Sequence, residues 1–247
     1  MKTKVVLVTG AARGLGRATA RAFADAGASL CLVDIDAERL EQTCAEISGT
    51  GAKCIAHATD ISTKENCVRA VESTVEVFGQ LDVLCNVAAV LRFHHVVDVT
   101  SDDWERILSV NLGGPFFLSQ AAIPHLLKTH GNIVNVVSQS AIVGAAYIVP
   151  YATSKAALLQ LTKSMAMEYM KEPIRINAVS PGTMRTEIGA GLSLPADVDQ
   201  TLVSRYAGIR DASEPEDVAD VIVFVASDRA RSIHGACLPA DNGITAG

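Results

Sequence analysis

Apolar, β-branched runs alternate with amphipathic helical stretches along almost the whole of this chain, and few architectures accommodate that alternation. Short runs at residues 5–8, 29–33, 54–59, 82–87, 132–137, 174–179 and 236–238 read as strands. Helical patterns fill 17–26, 37–47, 63–78, 101–129, 151–171 and 215–227, with an irregular stretch over 181–213. Strands separated by helices pair in parallel and must be covered on both faces. This predicts an α/β fold built on one doubly wound parallel sheet of seven strands. Crossovers in such a sheet are right-handed, and ligands gather at the carboxyl ends of its strands. Asp34, Asp60, Asn86, Ser138 and Pro181-Gly182 all fall at those ends. No linker or internal repeat is visible, so the 247 residues read as one domain.

Composition narrows the partners. Hydrophobic residues make up 49% and charged residues 19%, enough for a large core with no disordered block. A net charge of −6 without a basic run argues against nucleic acid or an anionic membrane. Met1-Lys2-Thr3-Lys4 leads straight into the first strand and leaves no room for a signal peptide. The longest apolar stretch, 133–149, is interrupted by Asn135, Ser138, Gln139 and Ser140, so no segment reads as membrane-spanning. The six cysteines (Cys31, Cys44, Cys54, Cys67, Cys85 and Cys237) form no C-x-x-C pair, which suits reduced, mostly buried thiols in a cytoplasmic protein. His94 and His95 are adjacent and would point apart, which is poor spacing for metal ligation, and no metal is expected.

Between the first strand and the first helix lies Thr9-Gly10-Ala11-Ala12-Arg13-Gly14-Leu15-Gly16. Glycines in such a turn let the backbone approach a pyrophosphate, and the helix N-terminus offers free N–H groups at a positive dipole end. Glycines also simply make turns. The strand before, the helix after and the second strand beyond favour dinucleotide binding. That second strand ends at Asp34, 18 residues after Gly16. A carboxylate there can accept both hydroxyls of an adenosine ribose and would repel a 2′-phosphate. The sign favours NAD over NADP. Arg13 is a counter-signal because it could reach a 2′-phosphate. Asp34 could alternatively serve the start of the next helix, a role Asp36 fills equally well.

A second constellation is Tyr151-Ala-Thr-Ser-Lys155, with Ser138 thirteen residues upstream. Residues four apart share a helix face, so the ammonium can lie near the phenol and favour its ionised form. A strand-end hydroxyl at Ser138 could hold a substrate oxygen beside that phenol, and Ser140 is a rival for the role.

Jointly, Thr9-Gly10-x-x-x-Gly14-x-Gly16, Asp60, Asn86-x-Ala88, Asn111, Ser138, Tyr151-x-x-x-Lys155 and Pro181-Gly182-x-x-x-Thr186 resemble a short-chain dehydrogenase/reductase of the common 250-residue type, nearly end to end. The resemblance implies a Rossmann-type fold and an NAD(P)-dependent oxidoreductase acting on CH–OH groups. In that family Tyr151 would be the acid/base, Ser138 would orient the substrate oxygen, and Lys155 would hold the nicotinamide ribose and depress the tyrosine pKa. Asn111 would bind a water linking Lys155 to solvent. Among cofactor contacts, Gly10, Arg13, Gly14, Leu15 and Gly16 would meet the pyrophosphate side, with Asp34 and Ile35 at the adenosine ribose. Asp60 and Ile61 would border the adenine, Asn86 and Ala88 would lie along the ribose, and Pro181, Gly182, Thr183 and Thr186 would lie toward the carboxamide. The family's helices at 101–129 and 151–171 usually pair across a two-fold axis, which implies a homotetramer, with a dimer as fallback.

Two departures stand out. The family's N-N-A-G is Asn86-Val87-Ala88-Ala89 here, and its V-D-G-G is Ala240-Asp241-Asn242-Gly243. Asparagine can still adopt a left-handed conformation at 242. Pro239 restricts pairing of the last strand to one side.

The substrate pocket is expected from 91–97, 140–150 and 184–206, with Ser138, Ser140, Tyr147, Tyr151, His94, Met184 and Ile188 as contacts, and with 183–212 as a substrate loop or lid. These residues point to a small apolar secondary alcohol or ketone as substrate for an NAD-dependent enzyme. The rival readings are an NADPH-dependent 3-oxoacyl thioester reductase and a non-catalytic dinucleotide sensor or scaffold.

Overall fold

In a computed structural model, residues 1–186, 194–205 and 208–246 are described. Seven parallel strands form one sheet in the order β3-β2-β1-β4-β5-β6-β7. They are β1 Val5–Thr9, β2 Ser29–Asp34, β3 Cys54–Ala58, β4 Val83–Asn86, β5 Asn132–Val136, β6 Arg175–Pro181 and β7 Cys237–Ala240. The helices are α1 Gly14–Asp25, α2 Ala37–Gly49, α3 Lys64–Phe78, α4 Ser101–Leu108, α5 Gly114–Thr129, α6 Val149–Glu168, α7 Gln200–Ser204 and α8 Pro215–Ala226. This is the doubly wound α/β architecture expected from the alternation. The chain reverses direction across the sheet between β1 and β4, which opens a crevice beyond their carboxyl ends.

Strand alternation places most of the core in two layers, with a small third cluster at Val137, Leu158 and Ala178. Val6, Val8, Leu30, Leu32, Val134 and Val136 face α1, α2 and α8, packing on Phe23, Leu40, Ile47 and Ile222. Leu7, Cys31, Val33, Leu84, Ile133 and Ile176 face the other way, toward Val71, Leu118, Leu126 and Met165 of α3, α5 and α6. Every residue of β1 is buried, as a central parallel strand requires. At the far edge, Pro239 sits opposite Ser180 in β7, which pairs only with β6 and so needs no amide on its outer side. Asn242 has φ +55°, the left-handed conformation read from the sequence.

One element differs from the sequence reading. Residues 101–129 are not one regular helix: α4 and α5 are separated by a π turn, Ser109–Gly113, in which the Gly114 amide reaches back to the Ser109 carbonyl. Hydrophobic periodicity cannot register a single wide turn within a helical run. The glycine has a steric reason, because a Cβ on Gly114 would stand 2.9 Å from the Ile61 carbonyl oxygen. Its absence lets α5 approach the loop after β3.

Candidate active site

The glycine turn is shaped by close approach. Gly10 has φ +70°, and a Cβ there would lie 2.8 Å from the Ala88 Cα. A Cβ on Gly16 would fall 1.9 Å from the Gly10 carbonyl oxygen, so the first turn of α1 folds directly onto the loop. Arg13 occupies the N-cap position of α1 without a side-chain cap bond, and the first turn contains no acidic residue. That helix terminus can therefore receive an anion. Across the switch point, Thr9 Oγ1 accepts the Val87 and Ala88 amides at 3.0 and 3.1 Å and ties β1 to the chain leaving β4.

A cavity of about 460 Å³ runs over these ends. Gly10, Arg13, Gly14, Leu15, Gly16, Asp34 and Ile35 line one side. Ser138, Ser140, Tyr151 and Lys155 line the cavity from the end of β5 onward and from α6, and Pro181, Gly182, Thr183, Met184 and Thr186 from the end of β6 onward. Val90, Phe93 and Ile148 add apolar wall. Asp34 Oδ2 accepts the Ala12 amide at 3.0 Å and Oδ1 the Asp36 amide at 3.1 Å. Each oxygen retains a further lone pair for a hydroxyl. A dinucleotide fits this donor and acceptor set: amides at α1 for a pyrophosphate, a carboxylate for a ribose, and a buried ammonium at the opposite end.

The chemical end is built by β5, the segment after it, and α6. Ser138 leaves β5 extended, and its Oγ accepts the Ser140 amide at 3.2 Å and the Ser140 hydroxyl at 3.0 Å. The Tyr151 phenol lies near enough to Ser138 for that hydroxyl to favour its ionised form. Ser140 therefore supports Ser138 rather than replacing it. Lys155 is 1% exposed, and its Nζ donates to the Val136 carbonyl at 2.8 Å while lying 5.8 Å from the Tyr151 ring centre. Proximity of the two groups is as the four-residue spacing requires. Acidification of the phenol is not what this environment produces: burial raises the Tyr151 pKa, and the Ser138 hydroxyl offsets only part of that rise. Burial also brings Lys155 down to about 7, so near neutrality the ammonium is only partly charged.

Asn111 lies fully buried in the π turn. Its Nδ2 donates to the Val90 carbonyl at 2.9 Å and to Ser154 Oγ at 3.1 Å, and its Oδ1 accepts the Val90 amide at 2.8 Å. Ser154 Oγ in turn donates to the Tyr151 carbonyl. Both amide hydrogens are thus engaged, so the expected water link to Lys155 does not run through them. The side chain clamps the cavity wall at Val90 to the start of α6.

Several expected contacts lie away from the cavity wall. Asn86 donates to Asn135 Oδ1 at 2.8 Å, and Asn135 donates on to Thr162 Oγ1 at 2.9 Å. Ala88 faces Gly10. Asp60 is bound by Arg106 at 2.7 Å and by the Ser62 amide, and Ile61 packs under Gly114. Tyr147, expected in the pocket, receives the Asp199 amide on its phenol oxygen at 2.8 Å. Its φ of +64° is unusual for a bulky residue and is held by the His94 amide on its carbonyl. His94 itself faces Asp103 at 3.3 Å, and His95 pairs with Asp197 at 2.8 Å. Ile188, with the rest of 187–193, lies outside the described residues. The sequence reading assigns no role to Asn135 or Arg106, and Thr9 enters it only as part of the glycine motif. The signal for Asn135 was present, since a polar residue inside a buried strand needs a partner.

Residues 10–245 match the family described as "Enoyl-(Acyl carrier protein) reductase". The chain is 38% identical over 246 residues to meso-2,3-butanediol dehydrogenase of Serratia marcescens, covering 98% of this chain and 95% of the relative. The chain belongs to the short-chain dehydrogenase/reductase family. It is accordingly an NAD(P)-dependent enzyme acting on alcohol or ketone groups. Two solved structures superpose closely. One is a short-chain dehydrogenase from Burkholderia cenocepacia J2315 in complex with NADP, at TM-score 0.90 and 34% identity, covering 99% and 98% of the two chains. The other is 3-ketoacyl-(acyl-carrier-protein) reductase from Brucella melitensis complexed with NADH, at TM-score 0.89 and 28% identity, covering 99% of each. Among the described residues of this family member, no helix is long and apolar enough to cross a membrane.

Proposed function

We propose that this enzyme uses NAD to interconvert a secondary alcohol and its ketone, with Tyr151 as the proton donor and acceptor. The observation that carries the reading is that the Tyr151–Ser138 pair and the Asp34 carboxylate open onto one cavity, at its two ends. The bound nicotinamide supplies or receives the hydride. In the oxidative direction, the alcohol yields its hydroxyl proton to the Tyr151 oxygen as the carbinol C–H bond breaks. In the reductive direction, Tyr151 returns that proton to the nascent alkoxide while Ser138 donates a hydrogen bond to the same oxygen. Lys155 serves as the charged group behind the phenol. A ligand hydroxyl or anion that partners its ammonium holds it protonated and draws the phenol's pKa back down. Asn111 keeps Val90 and α6 in register around these groups.

Asp34 supports NAD over NADP by charge. Arg13 on the same wall supports NADP, and with it a second reading, reduction of a 3-oxoacyl thioester, to which the matched family description also points. The apolar side chains exposed on α4, α5 and α6 (Trp104, Phe116, Val149 and Met167) support a homotetramer in which these helices meet a second subunit. Absorbance at the reduced-nicotinamide band across a panel of secondary alcohols, with NAD and NADP in parallel, tests the main reading. Turnover with NAD that disappears in Tyr151→Phe, while NADH binding persists, is expected. Turnover with NADP alone would reverse the cofactor assignment, and indifference to Tyr151→Phe would point to a dinucleotide sensor.

A further inference from the structure

A second cleft of about 800 Å³ adjoins the reaction cavity and shares Gln139, Ser140 and Ala145 with it. Its near wall is therefore one hydrogen bond from the catalytic hydroxyl, since Ser140 Oγ donates to Ser138 Oγ. Val143, Gly144, Asn242, Gly243 and Ile244 line it further. Two basic residues, Arg205 and Arg210, line it, and no acidic side chain does so among the described residues. No ion pair is formed by either arginine among the described residues, so each guanidinium can take a ligand's anion as its partner. In a chain of net charge −6, this cleft is lined, among the described residues, by two basic side chains and no acidic one.

The arginines are presented by anchored backbone. Arg205 closes α7, whose N-cap Asp199 donates its amide to the Tyr147 phenol. Arg210 lies between two fixed points. At one, Gly208 has φ +70° and packs so closely on Ile244 that a Cβ would stand 2.6 Å from its Cγ1. At the other, Asn242 Nδ2 donates to the Asp211 carbonyl at 2.7 Å and to Ser213 Oγ at 3.0 Å.

We propose that Arg205 and Arg210 form an oxyanion subsite, so that the preferred substrate is a secondary alcohol or ketone bearing a carboxylate, sulfonate or phosphate remote from the carbinol carbon. The inference rests on the proposed function, which places the carbinol at Ser138 and Tyr151. The apolar wall of the reaction cavity then takes the hydrocarbon beside the reacting carbon. The arginine cleft takes the charged end, which guanidinium forks are suited to hold. Because the anion is held alike in ground and transition states, its recognition appears in KM more than in kcat.

The test is a homologous series of hydroxy acids, 3-hydroxybutyrate through 6-hydroxyheptanoate, each paired with its neutral methyl ester. For the best chain length, the wild type is expected to favour the acid over the ester by tenfold or more in kcat/KM, mainly through KM. In Arg205→Gln and Arg210→Gln that acid-to-ester ratio falls about tenfold, and in Arg210→Glu it inverts. A parallel pair, a 3-oxobutanoyl thioester of N-acetylcysteamine and the same thioester of phosphopantetheine, separates a carboxylate on the substrate from a phosphate on a carrier arm. Equal use of acids and esters and of both thioesters, or a ratio unmoved by the substitutions, overturns the proposal. Binding of the corresponding keto acid and its ester, followed by thermal shift with NADH present, reads the subsite without turnover. Arginine-dependent binding of the acid with no turnover sustains the subsite and sinks the catalytic reading. Absence of acid-selective binding sinks the subsite alone.

Discussion

Lys155 donates its ammonium to the Val136 carbonyl at 2.8 Å inside a site that leaves it 1% exposed, and this burial couples catalysis to stability. Burial lowers its pKa from the ordinary 10.5 to about 7. The folded state therefore loses this proton near pH 7, while the unfolded chain keeps it up to about pH 10.5. Over that window the unfolded state binds more protons, so on this group's account stability rises with pH. Below about pH 7 both states are protonated and the contribution stays at its least favourable value.

A Lys155→Met variant should lack that slope. At about 1.4 kcal/mol per pKa unit, the wild type gains roughly 2 to 3 kcal/mol relative to the variant between pH 7 and 9. Urea unfolding of both proteins at the two pH values measures it, and parallel pH dependences would show that Lys155 does not titrate in this range. Turnover should be lost in the variant at every pH.

Asn111→Ala removes three hydrogen bonds at a fully buried position and leaves the Val90 amide and carbonyl unpartnered. A loss of about 2 to 4 kcal/mol follows from the unsatisfied backbone groups and the small cavity. Because the clamp positions the cavity wall and the start of α6, kcat should fall in protein that remains folded at low temperature. A melting temperature within a degree of wild type would contradict this role.

Asp34→Asn should shift cofactor selectivity while keeping the shape of the turn. A 2′-phosphate near ~4 Å meets on the order of 4 kcal/mol of repulsion at an effective dielectric of ~20, reduced by the half-exposed setting to about 1 to 2 kcal/mol. The ratio of kcat/KM for NAD to that for NADP should fall about five- to thirtyfold. An unchanged ratio would remove Asp34 from cofactor discrimination. Loss of one of its two backbone bonds also predicts a modest drop in stability, read separately by melting.

Gly16→Ala places a methyl 1.9 Å from the Gly10 carbonyl oxygen, against backbone that cannot step aside. The first turn of α1 must shift, at a cost of about 1 to 3 kcal/mol, and dinucleotide binding should weaken in step. Fluorescence titration with NADH measures the binding, and wild-type affinity would mean that the glycine turn is looser than its packing indicates.

Native thiols should be inert. Cys31, Cys44, Cys67 and Cys85 are buried, and burial pushes Cys31 to about 11 and Cys67 to about 12. Thiolate is the reactive species, so iodoacetamide at pH 8 should label these four only after unfolding. Rapid labelling of any of them in folded protein would reveal local opening.

The sheet and the two ends of the site were legible in the sequence because the signals are local. Strand alternation, a glycine turn between strand and helix, an acid at the next strand end, and a tyrosine and lysine one helical turn apart each depend on neighbours a few residues away. The sequence by itself therefore determined the architecture, the orientation of α1 toward the crevice, and the pairing of Tyr151 with Lys155.

Only the tertiary structure decided how the remaining side chains are used. Asn86 turns to Asn135, Tyr147 to the Asp199 amide and His94 to Asp103, because partners distant in sequence satisfy polar groups that would otherwise be stranded. The π turn that carries Asn111 is invisible to periodicity, since one wide turn leaves the helical pattern intact on both sides. The charge on Lys155 was beyond local reading for the same reason. Spacing brings an ammonium to a phenol, but its protonation depends on how much water the packed protein leaves around it, and that is a property of the whole fold.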